Sequence, residues 1–285
     1  MAWQPGRTCA MFDLHVHAAP DIGPRIGDDL DIVRLYAEAG YAGCVLKGHY
    51  AATTGRAAAA GRDSGLAVFG GLALNRHVGG INPAAVAAEL LQGARVIWMP
   101  TADAHTQRTA GLPRLSDQRP SLGDVVYAIP PVRWATEEAT RQVVDLVAEF
   151  DAVLATGHLS SAEVAWLLPT ARAAGVRRIL LTHPSYTVPA MSAATARELS
   201  GAGAFVEITA YQLLHQPGLT DVDLAAFVRE VGIERVVLAS DAGQPDSPPP
   251  PQALAILVDR LARQGLDHGA LLAAASEKPQ QLVTP

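Results

Sequence analysis

The stretch Phe12-Asp13-Leu14-His15-Val16-His17 has the composition of a buried β-strand with two histidines at its end. Because side chains alternate between the two faces of a strand, His15 and His17 point to the same side. Two imidazoles placed side by side can bind one divalent metal ion through their ring nitrogens. Two histidines satisfied by local hydrogen bonds would fit the same stretch, so the rest of the chain has to decide between the two interpretations.

Apolar runs of strand length alternate along the chain with alanine-rich segments of helical period. We predict eight strands, at 11–17, 43–49, 66–74, 94–100, 152–158, 178–183, 204–209 and 236–241. Helices are predicted near 28–39, 53–63, 83–92, 136–149, 160–173, 191–200, 220–230 and 251–263. Residues typical of helix caps stand at the start of several of them, namely Asp28, Thr53, Asn82, Thr136 and Ser160.

The repeat averages about 32 residues per strand–helix unit, which is the size expected of a (β/α)₈ barrel of the TIM type. A doubly wound open sheet is the alternative. It would need fewer strands and usually has a glycine-rich phosphate loop after the first strand, which this sequence lacks. No Pro/Ser-rich linker divides the chain, so we predict one α/β domain over residues 1–285, with room for distortion of the barrel.

One connection is too long for an ordinary loop, the segment 101–135 between the fourth strand and the next helix. Loops of this length in a compact domain are usually functional or disordered. The segment lies on the side where barrel loops build sites, and we predict that it is a lid. Its polar and aromatic residues include His105, Arg108, Arg114, Arg119, Arg133 and Trp134.

Composition limits the classes of function. The net charge is −6 with scattered acidic residues, which argues against a nucleic-acid partner, and no apolar run approaches the roughly 18 residues of a membrane span. The cysteines, Cys9 and Cys44, are too few for a disulfide scaffold, and residues 1–10 lack the apolar core of a secretion signal. We therefore expect a cytoplasmic protein with a small-molecule substrate, and we leave homo-oligomerisation open.

Polar residues gather at the predicted strand ends, where barrel enzymes place their chemistry. Five of the nine histidines lie there, since the second strand ends in Lys47-Gly48-His49, the fifth in His158 and the sixth in His183. The eighth strand ends in Asp241. Each of these has an alternative interpretation, as a buried histidine donating to a carbonyl group or an aspartate capping a turn, but their joint occurrence points to a metal site. Glu207, inside the seventh strand, could support a ligand or contact substrate.

The ordered pattern Asp-Leu-His15-Val-His17, Gly-His158, Thr-His183-Pro and Ser-Asp241 resembles the amidohydrolase superfamily of metal-dependent barrel hydrolases. Residues 45–49 and 75–83 are similar, more narrowly, to an uncharacterised amidohydrolase-like group. The resemblance implies that His15, His17, His158, His183 and Asp241 form the metal site. It also implies that Asp241 takes the proton from the attacking water. We expect zinc, with manganese or iron as alternatives, as one ion or two.

The sequence departs from the family at the fourth strand, where many binuclear members have a bridging carboxylated lysine or glutamate. Here the strand reads Val96-Ile97-Trp98-Met99-Pro100, with neither. Lys47, one of only two lysines in a chain that otherwise uses arginine, could supply a carboxylated bridge from the second strand. Alternatively, Lys47 is an ammonium group that pairs with substrate, Asp13 or Glu207.

These residues predict metal-assisted hydrolysis of a C–N or C–O bond in a small amide, cyclic amide or lactone. Asp241, His183 and Lys47 are the predicted catalytic residues, and His49, Arg76 and Glu207 are predicted to bind substrate. Two alternatives stay open. One is a metal-dependent decarboxylase of a small carboxylic acid, and the other is a metal-dependent binding protein without turnover.

Overall fold

The structure is a computed structural model that describes residues 10–284 apart from 114, 116, 118 and 119. Within this part of the chain, nine strands all pair in parallel. They are β1 (Phe12–Val16), β2 (Gly43–Leu46), β3 (Ala67–Phe69), β4 (Gly71–Ala73), β5 (Val96–Trp98), β6 (Val153–Ala155), β7 (Arg178–Leu181), β8 (Phe205–Thr209) and β9 (Val236–Ala239). Most end slightly earlier than predicted, so that His17, His49, His158, His183 and Asp241 lie just beyond the strands.

The predicted third strand, 66–74, is broken into β3 and β4 at Gly70. Thr53 fills the break: its hydroxyl donates to the Leu46 carbonyl at 2.6 Å and accepts from the Gly71 N–H at 2.9 Å. Gly70 permits this approach, because a Cβ there would lie 2.4 Å from the Thr53 carbonyl oxygen. Thr53 was predicted as a helix cap, but its side chain makes no cap hydrogen bond because its hydroxyl is used between the strands.

The strands form two sheets, in the orders β1-β2-β3 and β4-β5-β6-β7-β8-β9. The two sheets meet at one side through the broken third strand. At the other side β9 lies beside β1, where the Asp241 N–H donates to the His15 carbonyl at 2.8 Å and the His17 N–H donates to the Ala242 carbonyl at 2.9 Å. The ring therefore has eight strand positions, which confirms the predicted (β/α)₈ barrel.

All eight predicted helices are present in the described residues, as α1 (Asp29–Glu38), α2 (Thr54–Gly61), α3 (Pro83–Leu91), α5 (Glu137–Glu149), α6 (Ser161–Ala173), α7 (Ala193–Ser200), α9 (Asp221–Val231) and α10 (Pro250–Arg263). Four further helices were not predicted, α4 (His105–Thr109), α8 (Ala210–His215), α11 (His268–Ala274) and α12 (Glu277–Val283). Asp28 and Ser160 cap α1 and α6 as predicted. None of the described helices is both long enough and apolar enough to cross a membrane.

The barrel interior is closed at the N-terminal ends of the strands by α12. Leu282 and Val283 of this helix pack with the inward-facing side chains of the strands, among them Phe12 and Trp98. Arginines at the starts of two strands hold the helix: Arg95 Nε donates to the Val283 carbonyl at 2.6 Å, and Arg178 Nη1 donates to the Leu282 carbonyl at 2.9 Å. The open end of the barrel is therefore the C-terminal one.

The segment 101–135 lies at this open end and contains α4. Its two halves pair through the backbone, since the His105 N–H donates to the Tyr127 carbonyl at 2.8 Å and the Tyr127 N–H donates to the Asp103 carbonyl at 2.8 Å. Arg114 and Arg119, predicted as part of the lid, lie outside the described residues. The lid function itself stays a prediction.

Candidate metal centre

Seven of the predicted site residues converge at the C-terminal end of the barrel. Asp241 Oδ1 lies 3.0 Å from His15 Nε2 and 3.2 Å from His17 Nε2, and ligand atoms of these three residues all lie within 4.8 Å of one another. His158 and His183 lie beside this group, with ring centroids 5.0 Å apart, and the His183 ring is 5.9 Å from that of His15. The remaining two, Lys47 and His49, follow β2.

The backbone is strained at two of these residues. His183 has φ +25° and Asp241 has φ +50°, in the left-handed region that non-glycine residues rarely adopt. Such strain concentrates at functional sites, where the surrounding structure holds it. Here the Asp241 N–H donates to the His15 carbonyl at 2.8 Å, and the His183 N–H donates to Glu207 Oε2 at 3.1 Å.

Glu207 supports the site from behind. Both of its carboxylate oxygens lie 3.3 Å from His15 Nδ1. Because a carboxylate only accepts, His15 must donate from Nδ1, and this leaves Nε2 to face Asp241. Burial by itself lowers the pKa of His15, but the Asp241 and Glu207 carboxylates outweigh it and the net shift is upward.

The other imidazoles are held in their neutral form. Burial lowers the pKa of His17, His49 and His158 well below the usual value, and it lowers that of His183 to about 4. Burial alone would raise the pKa of Asp241, but the neighbouring His15 and His17 hold it well below the usual value. Neutral imidazoles beside an ionised carboxylate are the protonation states that metal ligands need.

The residues present fit a divalent metal. Imidazole nitrogens with a carboxylate oxygen make a donor set suited to zinc. Among the residues that the structure describes, the buried Nδ1 atoms of His17 and His183 have no hydrogen-bond partner, which is costly for neutral polar groups. His15, His17 and Asp241 could hold one ion, and the adjacent His158 and His183 could hold a second.

Lys47 is buried beside His15 and borders the cavity. Its Nζ lies 2.9 Å from His15 Nε2 and 5.6 Å from the centroid of the Trp98 ring, on the strand that holds neither a lysine nor a glutamate. Burial lowers the pKa of Lys47. Asp13, one of its predicted ion-pair partners, instead accepts from the Tyr36 hydroxyl at 2.5 Å and from the Ser240 N–H at 2.9 Å.

A cavity of about 400 Å³ opens above these residues. Its floor is formed by His17, Lys47, His49, His158, His183 and Asp241, and its walls include Ile22, Pro24, Arg25, Ala102, Gln107, Pro113, Leu115, Tyr186, Tyr211 and Gln244. Gln107, Tyr186, Tyr211 and Gln244 were not predicted. Each lies in a loop or short helix after a strand, and no spacing in the sequence distinguishes them from their neighbours.

Two residues predicted to bind substrate do not line this cavity. Glu207 lies behind His15, as described above. Arg76 has its guanidinium committed elsewhere: it donates to Asp103 Oδ1 and to the carbonyls of Leu122 and Gly123, and to the Val125 carbonyl at 2.8 Å. The structure thus places Arg76 as an anchor of the segment 101–135.

Comparisons with solved structures support the fold. An amidohydrolase from Pseudomonas aeruginosa is similar with a TM-score of 0.63 and 11% identity, covering 97% of each chain. Organophosphorus hydrolase from Deinococcus radiodurans has a TM-score of 0.61 and 14% identity over 96% of this chain and 92% of its own. A mutant of a PTE-like lactonase from the same organism has a TM-score of 0.59 and 15% identity over 96% of each chain. At these identities the likeness confirms the barrel of the predicted resemblance.

The sequence itself carries a narrower assignment. No curated protein matches it. A family model, described as a family of unknown function (DUF6282), matches residues 10–207, which is more than half of the chain. The match covers β1 to β7 and most of β8, with every floor residue of the cavity except Asp241. The chain therefore belongs to the DUF6282 family.

Proposed function

We propose that the protein is a metal-dependent hydrolase that cleaves a C–N or C–O bond in a small amide, cyclic amide or lactone. The observation that carries this proposal is the convergence of His15, His17 and Asp241 at the open end of the barrel, with ligand atoms within 4.8 Å, where His17 and Asp241 line the floor of the cavity. The proteins of similar fold are named as an amidohydrolase, an organophosphorus hydrolase and a lactonase, which supports hydrolysis as the reaction class.

His15, His17, His158, His183 and Asp241 would hold the metal, with zinc first and manganese or iron as alternatives. When bound, such an ion supplies Lewis acidity, which polarises a carbonyl group and lets water ionise near neutral pH. The imidazoles of His17, His158 and His183, whose pKa values burial lowers, and the ionised Asp241 carboxylate are already in the protonation states that bind such a cation.

Asp241 is the residue that moves the proton. Its side chain is 12% exposed, toward the cavity, and its Oδ1 is held by His15 and His17 at 3.0 and 3.2 Å. The ionised carboxylate accepts the proton of the attacking water and returns it to the leaving nitrogen or oxygen. His183 and Lys47 line the same floor, where they can contact the scissile group.

The cavity supports a small substrate with an apolar side. Ile22, Pro24, Pro113 and Leu115 form apolar walls above the polar floor. Arg25, the arginine among the lining residues, already binds Asp21 through Nε at 2.8 Å and Nη2 at 2.6 Å, so a substrate carboxylate would have to compete with that aspartate. A neutral ring or amide therefore suits the cavity better than a dicarboxylate.

The test combines metal content with a substrate panel. Protein purified without chelator should contain one or two equivalents of a divalent transition metal by elemental analysis. It should hydrolyse γ-butyrolactone or hydantoin, lose this activity on chelation and regain it with Zn²⁺ or Mn²⁺. Substoichiometric metal that neither ion restores would contradict the proposal. Release of CO₂ from an α,β-unsaturated acid would support the decarboxylase instead, and metal binding without turnover would support a binding protein.

A further inference from the structure

His49 stands apart from the other floor imidazoles. Its ring is stacked on that of His17, with centroids 5.0 Å apart and planes 21° apart, and it lines the cavity. It does not belong to the group of His15, His17 and Asp241 whose ligand atoms lie close together. The position of the proton, on Nδ1 or on Nε2, decides whether Nε2 of His49 can ligate a metal or can donate a hydrogen bond to a substrate.

Asn75 is fully buried, and its side chain is linked to that of His49 by hydrogen bonds through Thr101. Its Oδ1 accepts from the backbone N–H groups of Thr101 at 3.0 Å and Asp103 at 3.1 Å. Because both of these groups can only donate, the amide can have one orientation only. Asn75 Nδ2 therefore donates, to the His49 carbonyl at 2.7 Å and to Thr101 Oγ1 at 2.7 Å.

The Thr101 hydroxyl, oriented by Asn75, determines which nitrogen of His49 carries the proton. This hydroxyl is fully buried, accepts from Asn75 and lies 2.9 Å from His49 Nδ1. A buried hydroxyl needs an acceptor for its own proton, and His49 Nδ1 is the acceptor that the described residues offer. Thr101 therefore donates to Nδ1. A neutral imidazole that accepts at Nδ1 carries its proton on Nε2.

His158, across the cavity, has the opposite arrangement. Its Nδ1 lies 2.9 Å from Gln107 Oε1, and in this orientation of the Gln107 amide His158 donates from Nδ1. This leaves the lone pair of its Nε2 free for a metal. The His49 and His158 ring centroids are 6.2 Å apart, so one cavity holds a histidine suited to ligate and another suited to donate.

We propose that His49 is a hydrogen-bond donor, through Nε2–H, to the substrate oxygen that becomes negatively charged during the reaction, and that it is not a metal ligand. Thr101 and Asn75 are positioning residues that hold this tautomer. The inference rests on the proposed function and adds to it one residue that stabilises the oxyanion. A fixed donor of this kind requires no reorganisation when charge develops.

The tautomer can be measured without any turnover. Zinc-loaded protein labelled with ¹⁵N-histidine should show a protonated Nε2 and an unprotonated Nδ1 for His49, with its signals identified by their loss in His49→Gln. Thr101→Ser should keep this pattern because it keeps the hydroxyl. Thr101→Val, which has the same shape, should lose the fixed tautomer. A protonated Nδ1 on His49 in the parent protein would overturn the proposal.

Activity and metal content then test the role. His49→Leu should keep its zinc but lower kcat on γ-butyrolactone or hydantoin by about 10²–10³-fold, which is typical for loss of one oxyanion donor. His49→Gln keeps an N–H donor and should lose much less, about tenfold. The exposed His268→Gln is the control for the same chemical change.

Two outcomes distinguish failure of the His49 proposal from failure of the proposed hydrolase function. Loss of zinc in both His49 variants, with the fold intact by circular dichroism, would make His49 a ligand and overturn the inference. Failure of the parent protein to hydrolyse either probe would contradict the hydrolase, whereas the labelled spectrum would still decide the tautomer of His49.

Discussion

The two ends of the barrel differ in backbone strain and in how fully their buried polar atoms are hydrogen-bonded. At the C-terminal end, His183 and Asp241 hold strained backbone angles, and buried ring nitrogens of His17 and His183 lack partners among the described residues. At the N-terminal end, Leu282 and Val283 fill the interior, and arginines at the strand starts satisfy the last carbonyls of α12. The C-terminal end therefore has strained backbone and buried ring nitrogens without partners among the described residues, whereas the N-terminal end closes the apolar core.

This difference indicates where stability and chemistry lie. Apolar burial at the closed end stabilises the fold, whereas the strained end persists because the surrounding barrel holds it. Substitutions at the two ends should therefore separate cleanly, with those at the open end changing metal binding and turnover and those at the closed end changing the free energy of unfolding.

The largest expected effect is that of Asp241→Asn. Asparagine keeps the shape and tolerates the left-handed φ of this position, but it cannot accept the proton. Hydrolysis should fall by about 10²–10⁴-fold, while the variant keeps much of its metal and its melting temperature stays near that of the parent. Steady-state kinetics, elemental analysis and thermal unfolding measure the three quantities. Asp63→Asn, at an exposed position, is the matched control, and activity within a few-fold of the parent would show that Asp241 is not the base.

At the closed end, Leu282→Ala should lower the free energy of unfolding by about 2–5 kcal/mol, because it leaves a cavity in the barrel interior. Leu282 is 3% exposed and packs with the inward-facing strand residues. Metal content and kcat should not change at temperatures where the variant is folded. Gln281→Ala, on the exposed side of the same helix, should be nearly neutral in urea titration. A change in metal affinity without a change in stability would contradict the separation of the two ends.

Substitutions of Lys47 test how the open end would hold a metal ion. The Lys47 Nζ contacts His15 Nε2 and, within the described part of the chain, makes no ion pair with a carboxylate. If Lys47 is a carboxylated bridge rather than an ammonium group, its side chain holds the metal directly. Lys47→Ala should then lose metal, with partial recovery on adding a short-chain acid together with metal. Lys47→Glu should keep more metal than Lys47→Arg, and unchanged metal in Lys47→Ala would exclude the bridge.

The sequence was sufficient to predict the ring of strands and the side chains at their ends. Strand–helix periodicity determines the order of elements, and parallel strands bring all their C-terminal ends to one face, so His15, His158, His183 and Asp241 had to meet. The closing helix α12 could not be predicted in the same way, because its apolar residues fit any buried surface.

The directions of side chains were harder to predict than their positions. Arg76 follows a strand and Glu207 lies in one, as the cavity residues do. Arg76 nevertheless turns to the carbonyls of the segment 101–135, and Glu207 lies behind His15. Tyr186 reaches the cavity from a loop and Tyr211 from the short helix α8, and the positions of both depend on the closed ring. The break at Gly70 depends on the approach of Thr53, which is a tertiary contact with no local signal.

The smallest expected effect concerns the segment 101–135, the predicted lid. If it opens over the cavity, trypsin should cut the folded protein there first, and 4-hydroxybutyrate, the product of γ-butyrolactone hydrolysis, should slow the cut. Arg76 anchors the segment by donating hydrogen bonds to the carbonyls of Leu122, Gly123 and Val125. Arg76→Gln removes these bonds, so the open population and the cleavage rate should rise by about tenfold. The exposed Arg62→Gln should leave the rate unchanged. A segment that resists trypsin in the parent and in Arg76→Gln alike would be a fixed wall of the open end, and the strained site would then exchange its substrate by another route.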